Sequence, residues 1–505
     1  MLQQPFGQNF KLVLKRGAIA AGAAAALFTG SFAAQTLATR PADAQQIQPQ
    51  AVAPPGGAPG SFADLIDRVS PAVVSIQVRQ RPNAAAGSIE GLPPGFEDFF
   101  RRRPGVVPRE PPTSLGSGFL INADGTIVTN HHVVANAEEI TVRLSDGREI
   151  QADVVGTDEP TDIAVLRLKG GGRFPYVSLD RGHDVRVGDW VVAVGNPFGL
   201  DGTATAGIVS AKGRRDVGSA YVDFLQIDAP INRGNSGGPT FDLRGRVIGV
   251  NSAIFSPTGG NVGIGFAIPS ETAARIIDQL VERGRVTRGW LGVQVQPLDS
   301  DIARSLGLPD AKGAMVASVV PDGPAARAGL QQGDVVLTFN GEAVEDSRDL
   351  TQKVGSTAVG RPARVDLFRG GQRRTINVRL AERPAEQQLA ASDTPEEQSQ
   401  GTPPAVAQAS LGVSVRPLTP ADRTRLSIQE REGGVLVTAV TPNSDLARKG
   451  VRPGDVILMA GERTVRTAEE LGAAADQARR TNRPLLLQVG GRAGRRYIAA
   501  DVSQG

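Results

Sequence analysis

A turn-rich, mainly β protein of several domains is what this sequence predicts, on three observations. The chain has 505 residues, more than one hydrophobic core organises, so roughly two to four domains are expected. It carries 61 glycines and 35 prolines, which require many turns. Its apolar residues fall mostly in short runs between those turns, as strands do. A content of 40% hydrophobic and 21% charged residues is that of an ordinary globular protein.

Taken in order, residues 1–44 read as a secretory signal peptide. Lys11, Lys15 and Arg16 precede an alanine-rich apolar run from Gly17 to Phe28, and small residues ending in Ala42-Asp43-Ala44 follow. The run is shorter than the roughly 20 residues a bilayer span requires. Removing the segment takes four of the 55 basic residues and one of the 52 acidic ones, leaving 51 of each. The basic balance of the whole chain therefore belongs to the leader and gives no reason to expect nucleic-acid binding. The absence of cysteine excludes disulfides, thiol catalysis and cysteine metal sites.

Strands begin near Ser61. Val74, Ile76 and Val78 alternate with Ser75, Gln77 and Arg79, and further runs occur at 127–129, 140–144, 163–168, 190–194 and 247–250. Many short strands at close spacing predict an antiparallel barrel or sandwich. Ala273, Ile276, Ile277 and Leu280 then recur at helical spacing over 270–283, with Ser270 expected as cap and Gly284 as stop. The remainder repeats itself: residues 313–344 resemble 434–465, with Gly333-Asp334-Val335 facing Gly454-Asp455-Val456, so one module occurs twice. Residues 383–408, rich in Pro, Glu, Gln, Ser and Ala, read as a mobile linker between the copies.

The chemistry lies in the segment Gly234-Asn235-Ser236-Gly237-Gly238-Pro239. Glycines let the chain turn tightly and expose the Ser236 hydroxyl, while amides of the 234–236 segment could converge on an oxyanion. A serine needs a base, and the sequence holds only three histidines. His183 sits in a polar turn and reads as an exposed loop residue. His132 follows the strand-like 127–129 run and is the preferred base, with His131 a rival that spacing alone does not exclude. Asp162, directly before the apolar run 163–168, is the candidate carboxylate; Asp158 is the plainer alternative, a turn residue. The order His132, Asp162, Ser236 is that of chymotrypsin-like hydrolases.

These motifs, TNHHVV at 129–134, TDIAVL at 161–166 and NRGNSGGP at 232–239, resemble those of the HtrA family, specifically Do-type periplasmic serine proteases with two PDZ domains. VAVGNPFGL at 192–200 and GIGFAIPS at 263–270 resemble that family's activation and specificity loops, and RGWLGV at 288–293 its first PDZ opening. The resemblance selects His132 over His131. It implies a chymotrypsin-like double six-stranded β-barrel over 61–284, a PDZ domain at 287–382 and another at 409–503. Within the barrels, 79–113 corresponds to a long loop carrying Phe96, Phe99 and Phe100.

The implied function is endopeptidase action on unfolded exported proteins in the periplasm, without cofactor or metal. Gly234, Asn235 and Ser236 would form the oxyanion hole. Ile231, Ile254 and Ile264 would line the pocket for the side chain before the cut, favouring Val or Ala, since an apolar pocket penalises a buried cation. Arg214, within 211–219, matches the segment that senses bound peptide. Leu291, Gly292 and Val293 match the loop that receives peptide C-termini by strand addition. The second copy begins Ala409-Ser410 where the first has Arg288-Gly289-Trp290, so an assembly role is as well supported there as peptide binding. Implied partners are unfolded proteins, peptide C-termini, and a homotrimer assembling into larger oligomers, with peripheral membrane association and no nucleic acid. A chaperone or scaffold working through the PDZ domains is the rival from another class.

Overall fold

The computed structural model describes residues 60–80, 113–182, 184–196, 202–215, 217–232, 234–257, 260–384, 407–409, 411–426, 428, 432–491 and 494–502. The leader, His183, Pro197 to Leu200, most of the 79–113 loop with its phenylalanines, and most of the 383–408 linker lie outside the described residues.

Two closed antiparallel barrels of six strands each occupy the first part of the chain. One has the order β1 (Val73–Gln80), β2 (Thr113–Leu120), β3 (Thr126–Thr129), β6 (Ile163–Leu168), β5 (Glu149–Asp158), β4 (Ala137–Arg143). The other has the order β10 (Pro239–Phe241), β11 (Val247–Ile254), β12 (Gly265–Pro269), β9 (Phe224–Ile227), β8 (Thr203–Arg214), β7 (Trp190–Gly195). The runs expected as strands all fall within these elements or at their ends. In β1 the alternation holds for Val74, Ile76 and Val78, but Ser75 is buried as well.

The reason is that several strands are covered on both faces. In β6, Ala164, Leu166 and Leu168 point into one core with Val74 and Ile76. Ile163 and Val165 point the other way, into a second core shared with Val192, Phe241 and Val250 of the second barrel. A strand buried on both sides loses polar alternation, hence the unbroken Ile-Ala-Val-Leu. Helix α1 (Ala63–Val69) and the longer helix over Ser270–Arg283 cap that second core, the latter through Ala273, Ile276, Ile277 and Leu280. It ends at Gly284 in the left-handed conformation, as the sequence predicts. Ser270, expected as its cap, is instead the first helical residue; Pro269 precedes it and no side chain caps the helix.

Two smaller sheets follow. The first copy of the repeated module, expected as a PDZ domain, has the order β14 (Val293–Pro297), β15 (Ala314–Val319), β16 (Val335–Phe339), β18 (Pro362–Arg369), β19 (Gln372–Arg379), with β17 (Glu342–Ala343) beside β16 and a separate pair, β13 (Gly289–Trp290) with β20 (Ala381–Glu382). The second has the order β21 (Ala407–Ala409), β22 (Val413–Pro417), β23 (Val435–Val440), β24 (Val456–Ala460), β26 (Leu485–Gly491), β27 (Gly494–Ala500), with β25 (Arg463–Thr464) beside β24. The repeat is thus also a structural repeat, with one difference. In the second module β21 pairs antiparallel along β22, Ala407 facing Val415 and Ala409 facing Val413, whereas β14 ends its sheet. Among the described residues no helix is long and apolar enough to cross a membrane.

Candidate active site

The carboxylate of Asp162 is where three segments meet. Asp162 closes a short 3-10 turn, Glu159–Thr161, and stands at φ 58° before β6 begins. Its Oδ1 accepts the His132 amide at 3.0 Å, and the His132 ring nitrogen Nδ1 lies 2.9 Å from each carboxylate oxygen. Ser252, near the end of β11, donates its hydroxyl to Oδ2 at 2.7 Å. The Asp162 carbonyl receives the His131 amide at 3.2 Å and the Asn130 side-chain amide at 2.9 Å. It is therefore the ring of His132, not that of His131, that meets the carboxylate. The His131 Nδ1 is buried without a partner.

Burial alone would push the His132 imidazole to a lower pKa. The Asp162 charge and its hydrogen bond outweigh this, so the pKa stands above the ordinary 6.5. Burial would likewise raise the Asp162 carboxyl, but His132, its backbone amide and Ser252 together hold it below the usual range. A carboxylate that stays ionised beside an imidazole that gains a proton readily suits general-base work.

The Ser236 loop is strapped to this cluster from both barrels. Gly237 donates its amide to the Asn251 carbonyl and Gly238 accepts the Asn251 amide, both at 2.8 Å, so β11 holds the loop one residue before Ser252 reaches Asp162. From the first barrel the Ser117 amide donates to the Ser236 carbonyl at 2.9 Å, and the Ser117 hydroxyl donates to the Gly234 carbonyl at 2.5 Å. Gly237 has φ 82°, and a Cβ there would lie 2.3 Å from both the Ser117 carbonyl and the Thr129 hydroxyl. Only glycine fits between the barrels at that point. Ser236 itself remains half-buried, open to the crevice.

The other expected site residues divide. The Asn235 amide donates to the Asn232 carbonyl at 3.1 Å, which removes it from the donors an oxyanion could use and leaves Gly234 and Ser236 of the three named. Ile231, 1% exposed, packs in one apolar cluster with Ile254, while Ile264 packs against the larger core between the barrels. Arg214 donates its Nε to the Gln226 side chain across the β8–β9 pair at 2.7 Å. The neighbouring Arg215 instead pairs with Asp346 of the first PDZ module at 2.6 Å. Asp158, expected as a turn residue, is 5% exposed and forms two 2.6 Å bonds with Arg288, whose guanidinium also lies 4.5 Å from the Tyr221 ring centre. Ser117, Ser252 and Arg215 carry no motif that marks them in the sequence.

Known proteins match this arrangement. Residues 116–250 match the model of a trypsin-like peptidase domain, and 289–380 and 409–490 each match that of a PDZ domain. A probable periplasmic serine endoprotease, DegP-like, of Brucella suis is 43% identical over 519 residues, spanning 96% of this chain and 98% of that protein. One of the same description from Rhizobium meliloti is 42% identical over 517 residues, spanning 96% and 99%. The chain belongs to the HtrA family, among its DegP-like serine endoproteases. The HtrA-type protease AlgW, solved with a tripeptide, is 40% identical with a TM-score of 0.55, covering 64% of this chain and 98% of its own. The chymotrypsin-like barrels and the two PDZ modules are thus those of a DegP-like enzyme. Among the described residues no three His, Asp or Glu side chains gather where they could hold a metal ion.

Proposed function

We propose that this endoprotease cuts unfolded exported proteins in the periplasm through a Ser236-His132-Asp162 triad. The observation that carries the reading is the Asp162 carboxylate, held by the His132 ring, the His132 amide and Ser252 beside the strapped Ser236 loop. His132 takes the Ser236 proton as the hydroxyl attacks the scissile carbonyl, Asp162 steadies the imidazolium, and the Gly234 and Ser236 amides receive the oxyanion. Protonated His132 then gives its proton to the leaving amine, and water releases the acyl group by the same route in reverse. Ile231 and Ile254, packed in one apolar cluster, together with Ile264 favour a small aliphatic residue before the cut.

Peptide C-termini bind the first PDZ module. The Leu291 and Gly292 carbonyls accept amides of Ala325 and Val320, each at 2.8 Å. Planar trans peptides then direct the Gly292 and Val293 amides the opposite way, where a terminal carboxylate would sit. A cleft of about 340 Å³ runs between Val295, Ser347 and Arg348 of this module and Arg215, Gly218, Ser219 and Ala220 of the protease. Ser219 of that segment donates to the Pro160 carbonyl at 2.5 Å, in the turn that ends at Asp162. Bound peptide would therefore press on a segment already tied to the triad, with Arg215 rather than Arg214 as its contact to the PDZ module. Cleavable export, trimers that build larger cages, and protection of unfolded chains complete the reading.

The decisive comparison is digestion of a permanently unfolded protein by the native chain and by Ser236→Ala. Loss of cleavage with retained suppression of aggregation supports both roles, whereas equal cleavage removes Ser236 from the mechanism. In the same assay a C-terminal peptide should stimulate Arg214→Ala as it does the native enzyme and fail to stimulate Arg215→Ala.

A further inference from the structure

Asn261 lies in the turn that joins β11 to β12, and the chemistry above makes no use of it. The base of that turn is closed by the Phe255 amide on the Ile264 carbonyl at 3.1 Å, and its tip by the Ser256 hydroxyl on the Gly260 carbonyl at 2.6 Å. Between them the Asn261 Nδ2 donates at 3.0 Å to the carbonyl of Ile231, five residues before Ser236. Its Oδ1 accepts the Gly263 amide at 2.7 Å, directly before Ile264. One partner is a carbonyl and the other an N–H, so the amide has a single orientation that serves both. The neighbouring chains are in close contact: a Cβ on Gly265 would lie 3.0 Å from Ile231 Cγ1.

We infer that Asn261 is a positioning residue for specificity, a strut that fixes the distance between the Ile231 and Ile264 segments and hence the width of the pocket for the side chain before the cut. The inference rests on the proposed role of those isoleucines. A pocket with apolar walls discriminates by fit alone, and one methylene is worth only roughly 10- to 200-fold, so a small widening is enough to erase the preference. The strut is polar and stands behind the walls, so it can set their spacing without touching the substrate. No shorter or apolar side chain supplies both a donor and an acceptor across that span, and a carboxylate would set its charge against the Ile231 carbonyl.

The test is kcat/KM on two peptides identical except for Val or Phe before the cut, using the full chain. The native enzyme should prefer Val, and Asn261→Ala and Asn261→Ser should each lower the Val:Phe ratio about tenfold, the lower end of what one methylene of fit is worth in an apolar pocket. Asn261→Asp should lower it further. The ratio is taken within each variant, so partial misfolding does not alter it, and Asn261→Ser keeps an acceptor for Gly263 should the alanine variant fold poorly. Unchanged ratios in all three, with a shifted ratio in Ile231→Ala, overturn the role of Asn261 and leave the pocket standing. No Val preference in the native enzyme, or no shift in Ile231→Ala, overturns the pocket and the strut together.

Discussion

At the residue scale the Asp162 cluster makes a prediction about pH. In the proposed mechanism His132 must be neutral to accept the Ser236 proton, and its pKa is raised above 6.5 by Asp162. The acid limb of kcat/KM should therefore have its midpoint above 6.5. The same pair makes opposite demands on stability. A raised histidine pKa contributes stability below the unfolded value and loses it as pH rises through the folded one. The lowered Asp162 pKa contributes stability above its unfolded value and loses it as pH falls through the folded one. A pH–rate profile on a short peptide reads the first effect, and a midpoint below 6.5 contradicts the assignment of His132 as base. The three side chains proposed to react were legible in the sequence because each lies in a motif of unusual composition: paired histidines, an acid before an apolar run, a serine among glycines. Ser117 and Ser252 were not, since a serine within or near the end of a strand looks the same whether its hydroxyl meets a catalytic carboxylate or water. Arg214 and Arg215 are indistinguishable in the sequence for a related reason. Two adjacent arginines leave a strand end in opposite directions, and only the fold decides which one reaches the neighbouring module.

At the element scale the 3-10 turn Glu159–Thr161 calls for a test, because it joins Asp162 to the first PDZ module. Asp158 precedes the turn, accepts the Thr161 hydroxyl, and meets Arg288, three residues before Leu291 of the loop proposed to receive peptide. Both partners are nearly buried, with side chains 10% and 5% exposed. A buried pair contributes little net stability against an apolar substitute, but removing one partner strands the other charge at a cost of about 3–5 kcal/mol. Arg288→Ala should lower unfolding stability by that order, and Arg288→Ala with Asp158→Asn should lower it less, as denaturant titration would read. Equal losses in the single and double variants would mean the charges are solvated. Asp158 read as a turn residue from sequence because its partner is 130 positions away, and nothing near it announces burial. The β21 strand is a second case of tertiary context prevailing: its composition belongs to the linker, yet its backbone completes the edge of β22. That edge corresponds to the one that β14 presents at the end of its sheet among the described residues, consistent with different roles for the two copies of the module.

At the scale of the whole molecule the two PDZ modules share a core. Met315 and Val335 of the first are fully buried against Leu486, Tyr497 and Ala499 of the second. Gln296 bridges the Tyr497 backbone, donating to its carbonyl at 2.9 Å and accepting its amide at 2.7 Å. The sign of this was present in the sequence as Ala314-Met315-Val316 and Val335-Val336, where consecutive apolar residues require both faces of a strand to be covered. What covers the second face is not a local property. The shared core leads to an alkaline prediction. Burial first, then the nearby Asp334 carboxylate, push the Tyr497 phenol up to about 12. An unfolded tyrosine ionises near 10, so between about pH 10 and 12 the unfolded chain loses a proton that the folded one keeps. Stability contributed by the neutral phenol is complete below 10 and falls by about 3 kcal/mol as pH approaches 12. Tyr497→Phe keeps the ring in the shared core and removes the ionisable group. Its unfolding free energy should decline less steeply than that of the native chain over that interval. Parallel curves for the two proteins would show that the phenol ionises as freely folded as unfolded, and hence that the modules part far enough for water to reach it.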